Sequence, residues 1–365
     1  MRSRPAAISF FFALAAFAVA SVVACSPSTE AGASESDLGT RPPRAWSPGP
    51  PKAGNLRIAE YNIRNFPNDV MGAADAGAAS DAGDAGEAAA PDRDTRPPLV
   101  RKQSDTDETA LLDILEKLDF DVLAVEEIND TARFDDVLAR LGTRTGRAYQ
   151  SVYSLAWDHP QHTGIIVRKD RLRIESPKVH GEIATRPTMR AGLSARIVST
   201  KPGGVDFGML VLHLASGDSV GRATFRAEQA RFAGRAVAER QAELGDRDFV
   251  VVGDMNTARE AQELPAFDTA MGETSGLTRQ VSDLACSTYY TKGPQNPVLQ
   301  PSYIDNVYFA SMEEHDTSVP VTVGAHCFER SCQPFESDSA EHGTSYWSVS
   351  DHCPVYFEIA DVDRD

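Results

Sequence analysis

A set of polar side chains in this 365-residue chain stands at the mouths of short apolar runs, in types that suit phosphate chemistry. Val250-Val251-Val252-Gly253-Asp254-Met255-Asn256-Thr257 is the clearest case, a β-branched run that opens into a carboxylate and a carboxamide. Side chains alternate faces along a strand, so Asp254 and Asn256 are predicted to point one way and Met255 back into the protein. Alone, the octet suits an Asx-rich turn capping the strand better than a site. Other runs carry Asn62, Glu127 and His213 at their ends, Asp305 lies within one, and Asp351 with His352 immediately precedes the last. Together these residues offer oxygen ligands for a hard cation, two imidazoles for proton transfer, and a carboxylate able to orient one of them. That inventory suits metal-assisted phosphoester hydrolysis.

The elements that must position these groups follow from periodicity. Strands are predicted at 56–63, 120–128, 164–168, 193–198, 208–214, 249–252, 303–309 and 355–359. Asp105 and Glu108 have capping-box spacing ahead of a helical stripe of Leu111, Leu112, Leu115 and Leu118. Further helices are predicted over 131–141 and 223–244. On and just ahead of the second of these, Arg222, Arg226, Arg235 and Arg240 read as a solvated face. Strand ends in one sheet core can converge, which is how scaffolds present sites.

Composition bounds the function. With 41% hydrophobic and 24% charged residues the chain is ordinary globular material, and a net charge of -17 excludes a protein that coats nucleic acid through a basic face. It leaves room for an enzyme that meets phosphate through a metal ion. Residues 1–24 read as a leader: Arg2 and Arg4 precede an apolar run, and Val22-Val23-Ala24-Cys25 resembles the bacterial lipobox, which implies lipidation at Cys25. The protein is therefore expected outside the cytoplasm, anchored to a bacterial membrane, with the outer membrane favoured, or secreted. Residues 25–53 read as a flexible tether and 54–361 as one domain. The Asp-Ala-Gly-rich insert at 71–98 has little to bury and reads as a disordered surface loop. With Cys25 set aside, Cys286, Cys327, Cys332 and Cys353 form an even set in an oxidising compartment. Short spacing favours a Cys327–Cys332 bridge, with Cys286–Cys353 by elimination.

In order and spacing, Glu60-Tyr61-Asn62-Ile63-Arg64, Val125-Glu126-Glu127-Ile128, Val211-Leu212-His213, Gly253-Asp254-Met255-Asn256, Ile304-Asp305-Asn306 and Ser350-Asp351-His352-Cys353-Pro354 resemble the endonuclease/exonuclease/phosphatase superfamily, within it the deoxyribonuclease I-like branch. The resemblance implies an α/β four-layer sandwich, two mainly antiparallel sheets packed face to face and flanked by helices. It also implies Glu127 and Asn62, helped by Asp351, as holders of a divalent ion, normally Mg2+, with Mn2+ or Ca2+ as alternatives. Asp254 and Asn256 would contact the phosphate and attacking water, His213 and His352 would be the acid/base pair, and Asp305 would orient His352. Arg64 and Arg190 match arginines that touch the substrate backbone. Two positions depart from the pattern. Gln161 stands where a glutamate orients the histidine matching His213, and Glu126 where glutamine is usual beside the metal glutamate.

The function implied is a metal-dependent phosphodiester hydrolase, foremost a monomeric non-specific DNA endonuclease acting on the phosphate backbone. A phosphatase or phospholipase C-like enzyme acting on inositol phosphates or sphingomyelin shares the same core residues.

Overall fold

Period-2 patterning divides each strand's side chains between two faces, and the computed structural model of the chain places both. It describes residues 44–67, 105–258, 260–291, 298–336 and 345–364, all within the unit Leu38–Asp365. The leader 1–24, Cys25 and the insert 71–98 lie outside the described residues.

Strands β1 (Asn55–Phe66), β2 (Val122–Ile128), β3 (Tyr149–Tyr153) and β4 (His162–Arg168) join β13 (Thr322–Val323) and β15 (Val355–Ala360) in one six-stranded sheet, ordered β13-β15-β1-β2-β4-β3. A second six-stranded sheet, ordered β5-β6-β7-β8-β12-β9, takes β5 (Leu172–His180), β6 (Gly192–Ser199), β7 (Asp206–His213), β8 (Phe249–Asp254), β9 (Thr278–Arg279) and β12 (Asp305–Ala310). A small sheet of β10 (Thr288–Thr291), β11 (Val298–Ser302) and β14 (Phe335–Glu336) stands beside them. Pairing is antiparallel except for β1 with β2 and β7 with β8.

The apolar residues fall into layers. Ile58, Val122 and Ala124 from the first sheet meet Met209, Val211, Val250, Val252 and Val307 from the second in the central core. The alternate residues Ala59, Tyr61, Leu123 and Val125 turn outward against helices α1 (Glu108–Leu118) and α2 (Thr131–Thr145). On the far side, after the single-turn α3 (Gly181–Ala184), Leu210, Leu212 and Val251 pack against α4 (Val220–Leu244) and α5 (Glu260–Gly272). The result is the four-layer α/β sandwich, with short α6 (Ala325–Glu329) and α7 (Ser345–Ser348) completing the helices.

Several local expectations change. Asp107, not Asp105, caps α1: its carboxylate accepts from the Thr109 and Ala110 amides, and Glu108 opens the helix. Trp46, within the stretch read as tether, is buried against Tyr356, so the packed body begins ahead of Ala53.

The bridge pairing is corrected as well. The disulfides are Cys286–Cys332 and Cys327–Cys353, not Cys327–Cys332. Cys327 sits fully buried on α6 and faces Cys353 at the entry to β15, while Cys332, beyond the helix and in left-handed backbone, reaches Cys286 ahead of β10. The helix between the two cysteines sends their sulfurs in different directions, which sequence spacing does not convey.

Candidate active site

The strand pairing brings the polar residues to one end of the sandwich. Parallel pairing puts the carboxyl ends of β1 and β2 side by side, and likewise those of β7 and β8, with His213 opposite Asp254. Antiparallel pairing then sets the first residue of β12, Asp305, opposite Asp254, and the entry of β15 beside β1. Alternation does the rest. Asn62, His213, Asp254 and Asp305 continue the series that faces the central core (Ile58, Val211, Val252, Val307), so all four aim between the sheets.

Glu127 arrives by a different route. The register of β2 against both neighbours shifts around it, and its backbone is left-handed at φ 59°. A bulge of this kind re-aims a side chain, and it lets Glu127 reach the site although Glu126 already holds the inward position. Asn62 Nδ2 donates to Glu127 Oε1 at 3.3 Å and to Asp254 Oδ2 at 3.2 Å, and the Asn65 amide donates to Glu127 Oε2 at 3.0 Å.

Asp254 lies between the two histidines, 3.5 Å from His213 Nε2 and 3.8 Å from His352 Nε2. His352 Nδ1 is 3.0 Å from both oxygens of Asp305. His352 is itself fixed from behind: its amide donates to Ser350 Oγ, which donates to the Asn62 carbonyl at 2.8 Å. The turn reading of the opening octet also holds, because the Asn256 amide donates to Asp254 Oδ1 and Asn256 adopts φ 53°. Its Nδ2 donates to the Leu214 carbonyl, a bond that uses one of the two N–H groups of a carboxamide.

Arg64 pairs with Asp351 at 3.1 Å on the rim. Arg190 turns inward, donating to the carbonyls of His213 and Leu214 and to Gln161 Oε1. Gln161 in turn donates to Asn65 Oδ1 at 2.7 Å. Gln161 is thereby committed elsewhere, and His213 Nδ1 is buried with no hydrogen-bond partner among the described residues.

Electrostatics separates the two imidazoles. Burial, reinforced by Arg190, drives His213 well below the ordinary histidine range, so it is neutral at pH 7. Burial acts the same way on His352, but the charge and hydrogen bond of Asp305, aided by Asp254, override it and hold His352 well above that range as an imidazolium. Burial raises Asp254 to about 7, with Asp305 and Glu127 adding to the rise, and it raises Glu127 too. Glu60 and Glu126, both fully interior behind these residues, are raised well above 4.5 by burial and by the surrounding carboxylates.

The donor set fits a hard divalent cation. Glu127 and Asp254 turn carboxylate oxygens to the same Asn62 Nδ2, while Asn62 Oδ1 accepts from the Arg64 amide, and Asp254 and Asp305 carry oxygens within 4.8 Å of one another. Crowded carboxylates held in an interior are the surroundings in which a cation is favoured.

The sequence profile of the Endonuclease/Exonuclease/phosphatase family matches residues 59–352, and the chain belongs to that family. Its members are phosphoesterase hydrolases that depend on divalent metals. No curated protein sequence matches the chain. Among solved structures it resembles the human Nocturnin catalytic domain with bound sulfate anion, at 14% identity and TM-score 0.51, covering 88% of this chain and 100% of that one. It also resembles truncated Caenorhabditis elegans TDP2, at 16% identity and TM-score 0.51, over 85% and 99% of the two chains. These likenesses concern the fold.

Some supporting residues gave no readable sign in the sequence. Arg226, expected on a solvated face, is fully buried: it pairs with both oxygens of Glu263 and donates to the carbonyls of Ala215 and Gly217. Gln229 adds a bond from the Ala215 amide. These contacts clamp the segment that leaves His213, and a glutamate thirty-seven places along the chain gives no local signal. Arg226→Met is expected to cost about 3–5 kcal/mol by stranding Glu263. Arg226→Met with Glu263→Leu should recover most of it in thermal melts, and equal melting of the two variants would show that the ion pair is not the cause.

Proposed function

We propose that the chain is a metal-dependent phosphodiesterase, foremost a non-specific DNA endonuclease working outside the cytoplasm and anchored through lipid at Cys25. The observation that carries the chemistry is one carboxylate, Asp254, flanked by a neutral and a protonated imidazole. Hydrolysis of a phosphodiester must take a proton from water and give one to the departing alkoxide. In this reading Asp254 holds the attacking water, and His213 Nε2 accepts its proton in the tautomer that carries hydrogen on Nδ1. His352 Nε2 donates its proton to the leaving oxygen, while Asp305 keeps that imidazole oriented and charged. Asn256 bonds a phosphoryl oxygen.

Glu127 and Asn62, with Asp351 at the rim, would hold the cation, proposed as Mg2+, which supplies charge compensation to the phosphoryl oxygens. Arg190 serves this scheme from behind, by fixing the carbonyls around His213, and Arg64 remains the arginine on the substrate side.

The test is a substrate panel for the full-length chain in detergent with Mg2+ and Ca2+, with and without chelator. Nicking of plasmid DNA that stops on chelation and returns with metal is expected. Intact plasmid alongside released phosphate or phosphocholine would move the assignment to the phosphatase or phospholipase C-like alternative.

A further inference from the structure

Strand β10 runs beside the catalytic histidine and leaves one aromatic ring in solvent. Thr288 forms an antiparallel bridge with His352, and residues directly opposite in such a pair put their side chains on one face. Alternation then places Tyr290 on the same face as the His352 imidazole, one strand repeat or about 7 Å further along. Tyr289, between them, turns the other way and is buried, its ring edge-on to Phe335 with centroids 4.9 Å apart and its hydroxyl bonded to the Gln333 carbonyl. Tyr290 is 45% exposed.

The strand that carries it is rigidly tied to the site. The Tyr289 amide and the Thr288 hydroxyl both donate to the Asp351 carbonyl. Ser287 Oγ accepts from the Asp305 amide, and the Ser287 carbonyl accepts from the Cys353 amide. The disulfide Cys286–Cys332 closes the near end. An exposed aromatic on so fixed a support, beside the group that protonates the leaving oxygen, gives a planar apolar surface already in place when substrate arrives, so little entropy is lost in using it.

We propose that Tyr290 is a stacking platform for a nucleobase next to the scissile phosphate, which makes a single-stranded or locally opened nucleic acid the substrate class. The proposal rests on the nuclease reading above and sharpens it. Every nucleobase has a π-face, so the contact adds affinity without sequence preference, and a paired base inside a duplex cannot offer that face.

The experiment measures kcat and KM of the full chain on a fluorophore-quencher single-stranded DNA, and on the same strand with abasic residues flanking the cleaved bond. Tyr290→Ala should raise KM about 5- to 150-fold, the range of one lost base–aromatic stack, with kcat little changed, and Tyr290→Trp should restore it. On the abasic strand, wild type should already bind weakly and Tyr290→Ala should add no further loss. Unchanged KM in Tyr290→Ala, or an equal loss on both strands, overturns the platform while leaving the nuclease reading intact. Failure of the wild type to cleave any oligonucleotide overturns the nuclease reading and the platform together.

Discussion

Asp305→Asn slows hydrolysis by about 10²- to 10⁴-fold, the usual worth of a positioned proton-transfer group, and moves the alkaline limb of the pH–rate profile to lower pH. The cause is the 3.0 Å contact between Asp305 and His352 Nδ1. Burial by itself would push His352 below its ordinary range, and the Asp305 carboxylate reverses the sign. In the proposed scheme His352 is the acid and acts while protonated, so activity is expected to fall as pH rises through its elevated value. A carboxamide keeps the shape but not the charge, and the imidazole then loses its proton at a lower pH. His352→Ala removes the acid itself and should lose at least as much rate with no alkaline limb left to move. The informative measurement is kcat/KM against pH for wild type and Asp305→Asn, with melting curves confirming that both are folded. An unmoved alkaline limb would mean that His352 is not the proton donor, whatever the size of the rate loss.

The contrast with His213 follows from the same comparison. Its Nδ1 has no hydrogen-bond partner among the described residues, and Gln161, which the resemblance puts at the orienting position, is committed to Asn65 and Arg190. Two histidines that look alike in sequence therefore differ in charge, and the difference lies in what stands behind each ring.

How much of this was legible in the sequence depends on the range of the signal. The inward phase of β1, β7, β8 and β12 is local, a two-residue alternation, and it is what set Asp254 on the face opposite Met255 in the sequence reading. The meeting point of the strand ends is set by strand order, which the residues alone do not state and the family resemblance supplied. Glu127 was flagged by its position at a strand end, but the bulge that turns it from the outer face to the site was not visible, since Glu126-Glu127 reads simply as two acids. The support of the platform strand was missed altogether. Thr288–Thr291 and Val298–Ser302 are short, the second contains Pro301, and both sit among turn residues, so neither offers a sustained period. Arg226 was misread because a buried arginine and a solvated one occupy the same helical positions, and what separates them is a partner from another helix. The disulfide pairing failed for a related reason: proximity in sequence was taken for proximity in space.

The cation site yields the second large effect, and it is read in stability as well as rate. Glu127 is raised above its ordinary value of 4.5 by burial, with Asp351 adding to the rise. A folded state that prefers the protonated carboxyl loses stability as pH climbs from that value toward the raised one, so at neutral pH the metal-free protein carries a cost at this position. A bound cation, Mg2+ in the proposed reading, would remove it. At a metal concentration of about a hundred times Kd the folded state gains about 2.7 kcal/mol, or about 5 °C in Tm for a domain of this size. Glu127→Gln should melt close to the metal-free wild type, since a neutral amide relieves the crowding of Asp254 but turns an N–H toward the Asn62 or Asn65 donor, yet show little response to Mg2+ and lose most of its hydrolysis. The two halves of that result pull in opposite directions, which a merely misfolded variant could not reproduce. Should Glu127→Gln keep the full Mg2+-dependent rise in Tm, the cation is held elsewhere and Asn62 and Asp351 lose their assigned part with it.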